Sequence, residues 1–356
     1  MPPEDLVVPA EQGVVAAPDE AARGDRATRP ESEGRRSMAT TLSLHGNYLV
    51  EEVTFESSRL QLVGTLHLPS AATEPRAAVV VLGPFASVKE HAPVQYATRL
   101  ADEGYIALVF DCSHHGESAG EPRPLEDPFR KIADVRAAID YLVARPEVNP
   151  LRIAAVGLGD GAAELLRLAV DDHRIRAIAA VAGFYRDHGN DLVRALANEQ
   201  ADEDPFKLEA ETRLGARRDR AAAALIRYER TGEVDYLPIT DANRSDVALP
   251  GKAAWESSGS CAGKGLWENR YAIMGDLAYL DFESLSAAAA TTTPTLMLHG
   301  DRCEGVASAR RHFEVITDAP KELVWENETS HSQYCDDPAA IDRATARVER
   351  WFRDHL

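Results

Sequence analysis

The chain has 356 residues and a mass of 38.8 kDa, enough to bury a substantial core as one large α/β domain with an insertion or as two small domains. Thirty-nine lysines and arginines against 58 aspartates and glutamates leave a net charge of −19, which argues against a nucleic-acid backbone or an anionic membrane surface as partner. No stretch approaches the roughly 20 apolar residues that a bilayer span needs, and the N-terminus has no apolar core of the secretory kind, so a cytoplasmic protein is expected.

Residues 1–37 contain five prolines, mixed charges and no aromatic residue. Such a composition cannot bury enough apolar surface to offset its ordering entropy, and it predicts a flexible N-terminal extension. "NYLVEEVTF" and "LQLVGTLHL" then alternate as a pair of strands, and the continuous apolar run "AAVVVLGPF", Ala77 to Phe85, suits a central parallel strand. "APVQYATRLADE" reads as a helix closed by Gly104, and "YIALVFDCS" as the next buried strand. Between Asp127 and Arg145, the residues Phe129, Ile132, Val135, Ile139 and Leu142 recur at the spacing of one apolar helix face.

"RIAAVGLGDGAAELL" follows, a run of β-formers entering a glycine-rich turn and a helix from about Asp160, and "IRAIAAVAGF" is one more strand. Repeated strand–helix–strand units imply a parallel sheet covered on both faces. From Tyr185 to about Ala290 the rhythm is lost in favour of Ala, Arg and Glu, which predicts a mostly helical insertion. "PTLMLHG" and "KELVW" resume the sheet. A closing helix carries Ile341, Ala344, Val348, Trp351 and Phe352 on one face. The expected organisation is therefore an extension over 1–37, a core over 38–184, a helical cap over 185–290 and the rest of the core over 291–356. No internal repeat is evident. Cys112, Cys261, Cys303 and Cys335 are widely spaced without a Cys-x-x-Cys pair, so free thiols are expected instead of a zinc knuckle or a disulfide framework.

Sheet, elbow, insertion after the sixth strand, two strands and a final helix follow the order of an α/β-hydrolase fold, a mostly parallel sheet with helices on both faces. Its triad runs nucleophile, acid, His along the chain, with the nucleophile at a strand-to-helix elbow. The segments "GPFASVKE", "FDCSHHGESAGEPRPLEDPFRKIADVRAAIDYLVARPEV", "WENRYAIM", "KELVWENETSH" and "RWFRDHL" resemble the bacterial α/β-hydrolase family related to dienelactone hydrolases, in the same order and spacing. In that family the elbow has the form Gly-x-Cys-x-Gly or carries Ser at its centre. Here it reads Gly157-Leu158-Gly159-Asp160-Gly161. Glycine cannot attack a carbonyl, so the covalent Ser-His or Cys-His route lacks its nucleophile.

The resemblance implies that His331, in "NETSHSQY", stands at the position of the catalytic His, where it would serve as a general base. Asp301, in "LHGDRCEG", matches an acidic family position and is the first choice to orient it, with Glu304 as the fallback. Many hydrolases place the acid two residues after Asp301, at Cys303 here. Asp160 has two readings. It is either a first-turn acid satisfying orphan backbone N–H groups or an acid facing the pocket. For the oxyanion hole Pro84 has no N–H, which leaves the backbone of Phe85 and of Asp160, beside Gly159. Tyr185, at the end of the strand after the elbow helix, is a candidate substrate contact. His114, beside His115 in a loop at a strand's C-terminal end, is another. Trp267, with Asn269, Arg270 and Tyr271, comes from the insertion and is expected to pack within the cap or roof the pocket.

A base and an oxyanion hole suffice to remove a proton α or vinylogous to a carbonyl, and an ester at the β-position would then leave as carboxylate. The chain is in this respect similar to what the acetate-eliminating enzymes of tetronate polyketide biosynthesis would need, which implies a lyase acting on a small acylated substrate. Two other readings stay open. One is a hydrolase in which Asp160, a water activated by His331 or a displaced residue replaces the nucleophile. The other is a non-catalytic binding protein on the same scaffold. No metal, cofactor, nucleic acid or membrane is called for by these motifs, and no oligomeric state is read from them.

Overall fold

The hairpin pattern forms as its alternation dictates. β2 (Tyr48–Ser57) and β3 (Leu60–Pro69) pair antiparallel from Tyr48 opposite Pro69 to Ser57 opposite Leu60. They turn at Ser58 and Arg59, which both have positive φ, the combination a two-residue hairpin with the sheet's twist demands. This computed structural model describes residues 42–45, 47–70, 74–196, 201, 203–251, 254–255 and 262–356. The extension expected over 1–37 and Cys261 lie outside the described residues.

The apolar runs become the parallel centre. β4 (Arg76–Leu82), β5 (Ile106–Phe110), β6 (Val148–Leu158), β7 (Ile175–Val181), β12 (Thr295–His299) and β13 (Lys321–Trp325) join the hairpin and β1 (Leu42–His45) in one nine-stranded sheet. Its order is β1-β2-β3-β5-β4-β6-β7-β12-β13, with parallel pairing from β5 onward. β1 was not anticipated; it adds an antiparallel edge, so the insertion follows the seventh strand of the chain. Helices α1 (Ala92–Asp102), α2 (Pro128–Val143) and α3 (Asp160–Asp171) connect the strands. Apolar clusters cover both faces of the sheet, one around Val80, Leu108, Ile139 and Leu165, the other around Val79, Leu100, Leu298 and Phe352. The closing helix, Pro338–His355, buries all five residues of its expected stripe. In α2, capped by the Asp127 carboxylate on the N–H groups of Phe129 and Arg130, the stripe holds except at Phe129. That ring stays half exposed and touches the edge of Phe282 instead.

The inserted segment carries α4 (His188–Leu196) and the long α5 (Lys207–Thr231). It also holds two small sheets, an antiparallel pair of β8 (Tyr236–Leu237) with β11 (Tyr271–Ala272) and a parallel pair of β9 (Thr240–Asp241) with β10 (Leu249–Pro250). A separate apolar cluster of Ile239, Ala248, Tyr271, Ile273 and Tyr279 includes Phe85 from the core. Among the described residues no helix is long and apolar enough to cross a membrane.

Candidate active site

The elbow lies where β6, flanked by β4 and β7, delivers the chain into α3. Gly159 sits there with φ +57° and ψ −124°, a backbone region that residues with a Cβ enter only under strain. Gly161 is required for a different reason. A Cβ on it would lie 2.8 Å from the carbonyl oxygens of Leu82 and Gly83, so the helix could not come so close to β4. The elbow geometry is thus kept, and only the side chain at its centre is gone. A Cβ built on Gly159 would stand 3.5 Å from Cε1 of His331 and 2.8 Å from Cβ of Pro84. The glycine, the expected base and the oxyanion loop therefore meet at one point.

His331 follows β13 in a loop that a bridge between Arg302 and Ser330 ties to the segment after β12. Its Nδ1 is buried with no hydrogen-bond partner among the described residues. The hydrogen bond expected from Asp301 is not made. That carboxylate accepts from Trp325 Nε1 at 3.0 Å, lies 3.7 Å from Arg310 and is exposed, because the indole at the end of β13 and the guanidinium draw it outward. Cys303, at the position where many hydrolases carry the acid, is buried, with Sγ 3.7 Å from the Thr329 carbonyl, and burial pushes its thiol up to about 12. It offers no negative charge. Glu304 does reach the pocket wall. A residue the sequence reading missed is His299, fully buried at the end of β12. Burial pushes it down to about 4, with His331 nearby adding to the effect, so it is a neutral neighbour of His331. The only signal for it was a histidine closing the strand "TLMLH".

The pocket in front of His331 has a volume of about 150 Å³. Phe85, Ile239, Leu249 and Trp267 supply apolar wall, and Asp160, Arg194, Lys264, Arg302 and Glu304 supply charge. Phe85 is fixed edge-on against Tyr271 and Tyr279, at ring separations of 6.0 and 5.1 Å. Asp160 satisfies both of its readings in part. It opens α3, where the first N–H groups lack intrahelical acceptors, and its carboxylate lies in the pocket wall. There it accepts from Tyr279 Oη at 2.6 Å and from Arg194 at 3.2 and 3.4 Å. Arg194, on α4, was also missed, since nothing in the sequence links residue 194 to residue 160.

Tyr185 is not part of this pocket wall. It is fully buried, stacks on His312 at 4.9 Å, and its hydroxyl has no hydrogen-bond partner among the described residues. His114 lines a second, open cleft of about 590 Å³ that shares Trp267 with the first pocket. Its Nδ1 donates to the Pro122 carbonyl at 3.0 Å in the tautomer that protonates it, and burial keeps the ring below its ordinary pKa. Trp267 thus stands between two chambers. Of its neighbours, Asn269 bonds both backbone groups of Thr240 and Tyr271 donates to Asp276, so both hold the cap together.

Behind the loop expected to form the oxyanion hole lies a buried ionic cluster. Glu126 accepts the N–H of Ala86 at 2.8 Å and pairs with Lys131, with His115 at 3.4 Å. Burial opposes ionisation of Glu126, but Lys131 and His115 overcome it and hold the carboxyl below its ordinary range. Glu164, one turn into α3, is 3.9 Å from Lys131 and its oxygens have no hydrogen-bond partner among the described residues. Burial, with the carboxylates of Glu126 and Asp160, raises it to about 8 against the pull of Lys131. The loop that carries Phe85 is thus pinned, through the Ala86 N–H, by an ionised carboxylate braced by a lysine.

Sheet, elbow, histidine loop and inserted cap define an α/β-hydrolase fold. The family model described as X-Pro dipeptidyl-peptidase (S15 family) matches residues 59–333, a stretch that contains the elbow, the cap and His331, and the chain belongs to that family. The protein PA2218 of Pseudomonas aeruginosa is 27% identical over 321 residues, 86% of this chain and 80% of that protein. Its crystal structure superposes with a TM-score of 0.71 at 24% identity, covering 89% of this chain and 97% of that one. The Escherichia coli protein YcjY is 37% identical over 136 residues, and the match spans only 44% of its length. Polyketide transferase claH of Penicillium crustosum is 32% identical over 133 residues, 37% of this chain and 43% of that protein.

Proposed function

We propose that this protein is a cofactor-independent cytoplasmic enzyme of the lyase type, which eliminates a carboxylate from a small acylated substrate with His331 as its base. The observation that carries this reading is the intact elbow with Gly159 at its centre and the His331 ring 3.5 Å from where a nucleophile's Cβ would stand. The centre of the elbow has no side chain to form an acyl-enzyme, yet the expected base faces the same point. In the reaction His331 takes a proton from the carbon α or vinylogous to a carbonyl. The electron pair becomes an enolate, whose oxygen the backbone N–H groups of Phe85 and Asp160 receive. The enolate re-forms its carbonyl as a carbon–carbon double bond appears and the β-carbon–oxygen bond breaks, with its electrons leaving on an acetate-type carboxylate. A tetronate or related polyketide intermediate fits this chemistry, and the likeness to a protein named a polyketide transferase supports that substrate class.

A second reading has its own support. The family is named for a peptidase, and a water at the Gly159 gap, deprotonated by His331, would give direct hydrolysis. Turnover of a β-acyloxy carbonyl substrate in oxygen-18 water separates the two. Elimination leaves both the released acid and the unsaturated product unlabelled, whereas hydrolysis labels the acid. His331→Ala should cost roughly two to four powers of ten in kcat, the usual contribution of a positioned base. Label in the acid, or full activity of the variant, would remove the elimination reading.

A further inference from the structure

We infer that the pocket selects a substrate bearing a carboxylate, or losing one, and that Arg194 is the residue that binds this group. The inference rests on the pocket assigned above to His331 but not on the reaction that takes place there.

In a chain of net charge −19 the pocket wall is locally cationic, with Arg194, Lys264 and Arg302 against Asp160 and Glu304. A cationic wall on an acidic protein marks a place where an anion is wanted, because field lines concentrate in such a cleft. Arg194 is the cation among the three that is withdrawn from water, at 8% exposure. Its guanidinium lies 3.4 Å from the centroid of the Phe184 ring, and Nε has no hydrogen-bond partner among the described residues. Its contacts to Asp160, at 3.2 and 3.4 Å, are long for a charge-assisted pair, which closes to about 2.7–2.9 Å when both groups are fully engaged.

The shortage has two visible causes. The Tyr279 hydroxyl takes the closest position on the Asp160 carboxylate, at 2.6 Å. Arg186 and Arg217 crowd round the same tyrosine ring, their carbons 3.8 and 5.6 Å from its centroid, with Arg194 at 5.5 Å. Those two neighbours have tight acids of their own, Asp191 for Arg186 and Asp276 for Arg217. Among the described residues Arg194 hydrogen-bonds no carboxylate but Asp160, which it shares with Tyr279, and Glu304 acts on it only through space. Burial together with the like charges of Arg186 and Arg217 disfavours its protonated form despite Asp160 and Glu304. A buried cation so poorly matched is stabilised strongly by an incoming carboxylate. Its partner Asp160 directly follows Gly159, so a carboxylate drawn to Arg194 is held beside the reacting centre. In the elimination the leaving group acquires its negative charge as the carbon–oxygen bond opens, and Arg194 is placed to receive it.

The test reads binding without turnover, by calorimetry on the full chain with 3-phenylpropanoate and its neutral amide as probes. The carboxylate should bind about tenfold or more tightly than the amide, the worth of one hydrogen bond to a charged group. Arg194→Gln should abolish that preference, while Lys264→Gln and Arg302→Gln should keep most of it. Since Arg194→Gln strands a buried Asp160, a second variant guards against misfolding. Asp160→Asn removes the competing acid and should raise carboxylate affinity severalfold while leaving the amide unchanged. Equal affinity for the two probes, binding of neither, preference lost on substituting Lys264 or Arg302 instead, or no gain in Asp160→Asn would each overturn the assignment. Such a result leaves His331 and elimination standing, and label in the oxygen-18 experiment leaves Arg194 standing.

Discussion

A serine at position 159 would have to accept φ +57° and would bring its Cβ to 2.8 Å from that of Pro84. Pro84, in the expected oxyanion loop, occupies space that a side chain at 159 would need, so restoring the nucleophile carries a cost. Gly159→Ser should lower the unfolding free energy by about 1–3 kcal/mol, the range for a side chain held in a sparse backbone region, as read by urea denaturation. It should not accelerate elimination, and slow ester hydrolysis can appear beside it. A fluorophosphonate should leave the mass of the unmodified protein unchanged, and an adduct mapped to residues 157–161 would show that the elbow still holds a nucleophile. At this scale His331 was legible, because a histidine a few residues beyond the strand "KELVW" has one place to go in such a fold. The direction of the Asp301 carboxylate was not. It is set by Trp325, 24 positions away, and by Arg310. Tyr185 was misplaced too: it lies four residues beyond β7, and its packing against His312, far along the chain, puts the ring in the core.

At the scale of elements, α2 and α3 do more than cover the sheet, since their Lys131 and Glu164 form a cluster with Glu126, just before the α2 cap, that pins the loop before α1. Glu164 makes the pH dependence calculable in sign. Unfolded, it titrates near 4.5, and in the fold near 8. Between those values the folded protein keeps a proton that the unfolded chain has released, so this contribution is full below about pH 4.5 and is lost as pH rises through about 8. Glu164→Gln, neutral at every pH, should therefore gain in melting temperature relative to the parent as pH goes from 5 to 9. A difference that stays constant over that range would mean Glu164 is not held protonated. The boundaries of these helices were readable because the signals are local: Asp127 before Pro128, Gly104 after α1, and apolar residues every three or four positions. The pairing of Glu126, Lys131 and Glu164 was hidden, because their spacing says nothing about which helix faces which.

For the whole molecule, composition predicts that residues 1–37 contribute no apolar anchor. A chain beginning at Met38 should accordingly keep its melting temperature within about 2 °C, and scanning calorimetry of the two proteins side by side checks this; a fall of many degrees would show that the segment docks on the body. By itself the sequence determined the order of strands and helices and the glycine-centred elbow, which follow from short-range periodicity and turn chemistry; the hydrolase-like topology and His331 as the expected base came from the family resemblance. Only the tertiary structure decided what surrounds His331: an Nδ1 with no hydrogen-bond partner among the described residues, a neutral His299, a protonated Cys303, and the pairing of Arg194 from the cap with Asp160 from the elbow. The reason is that burial and electrostatic partnership depend on how far-separated segments pack, and the inserted cap has no periodic signal that fixes its docking onto the core.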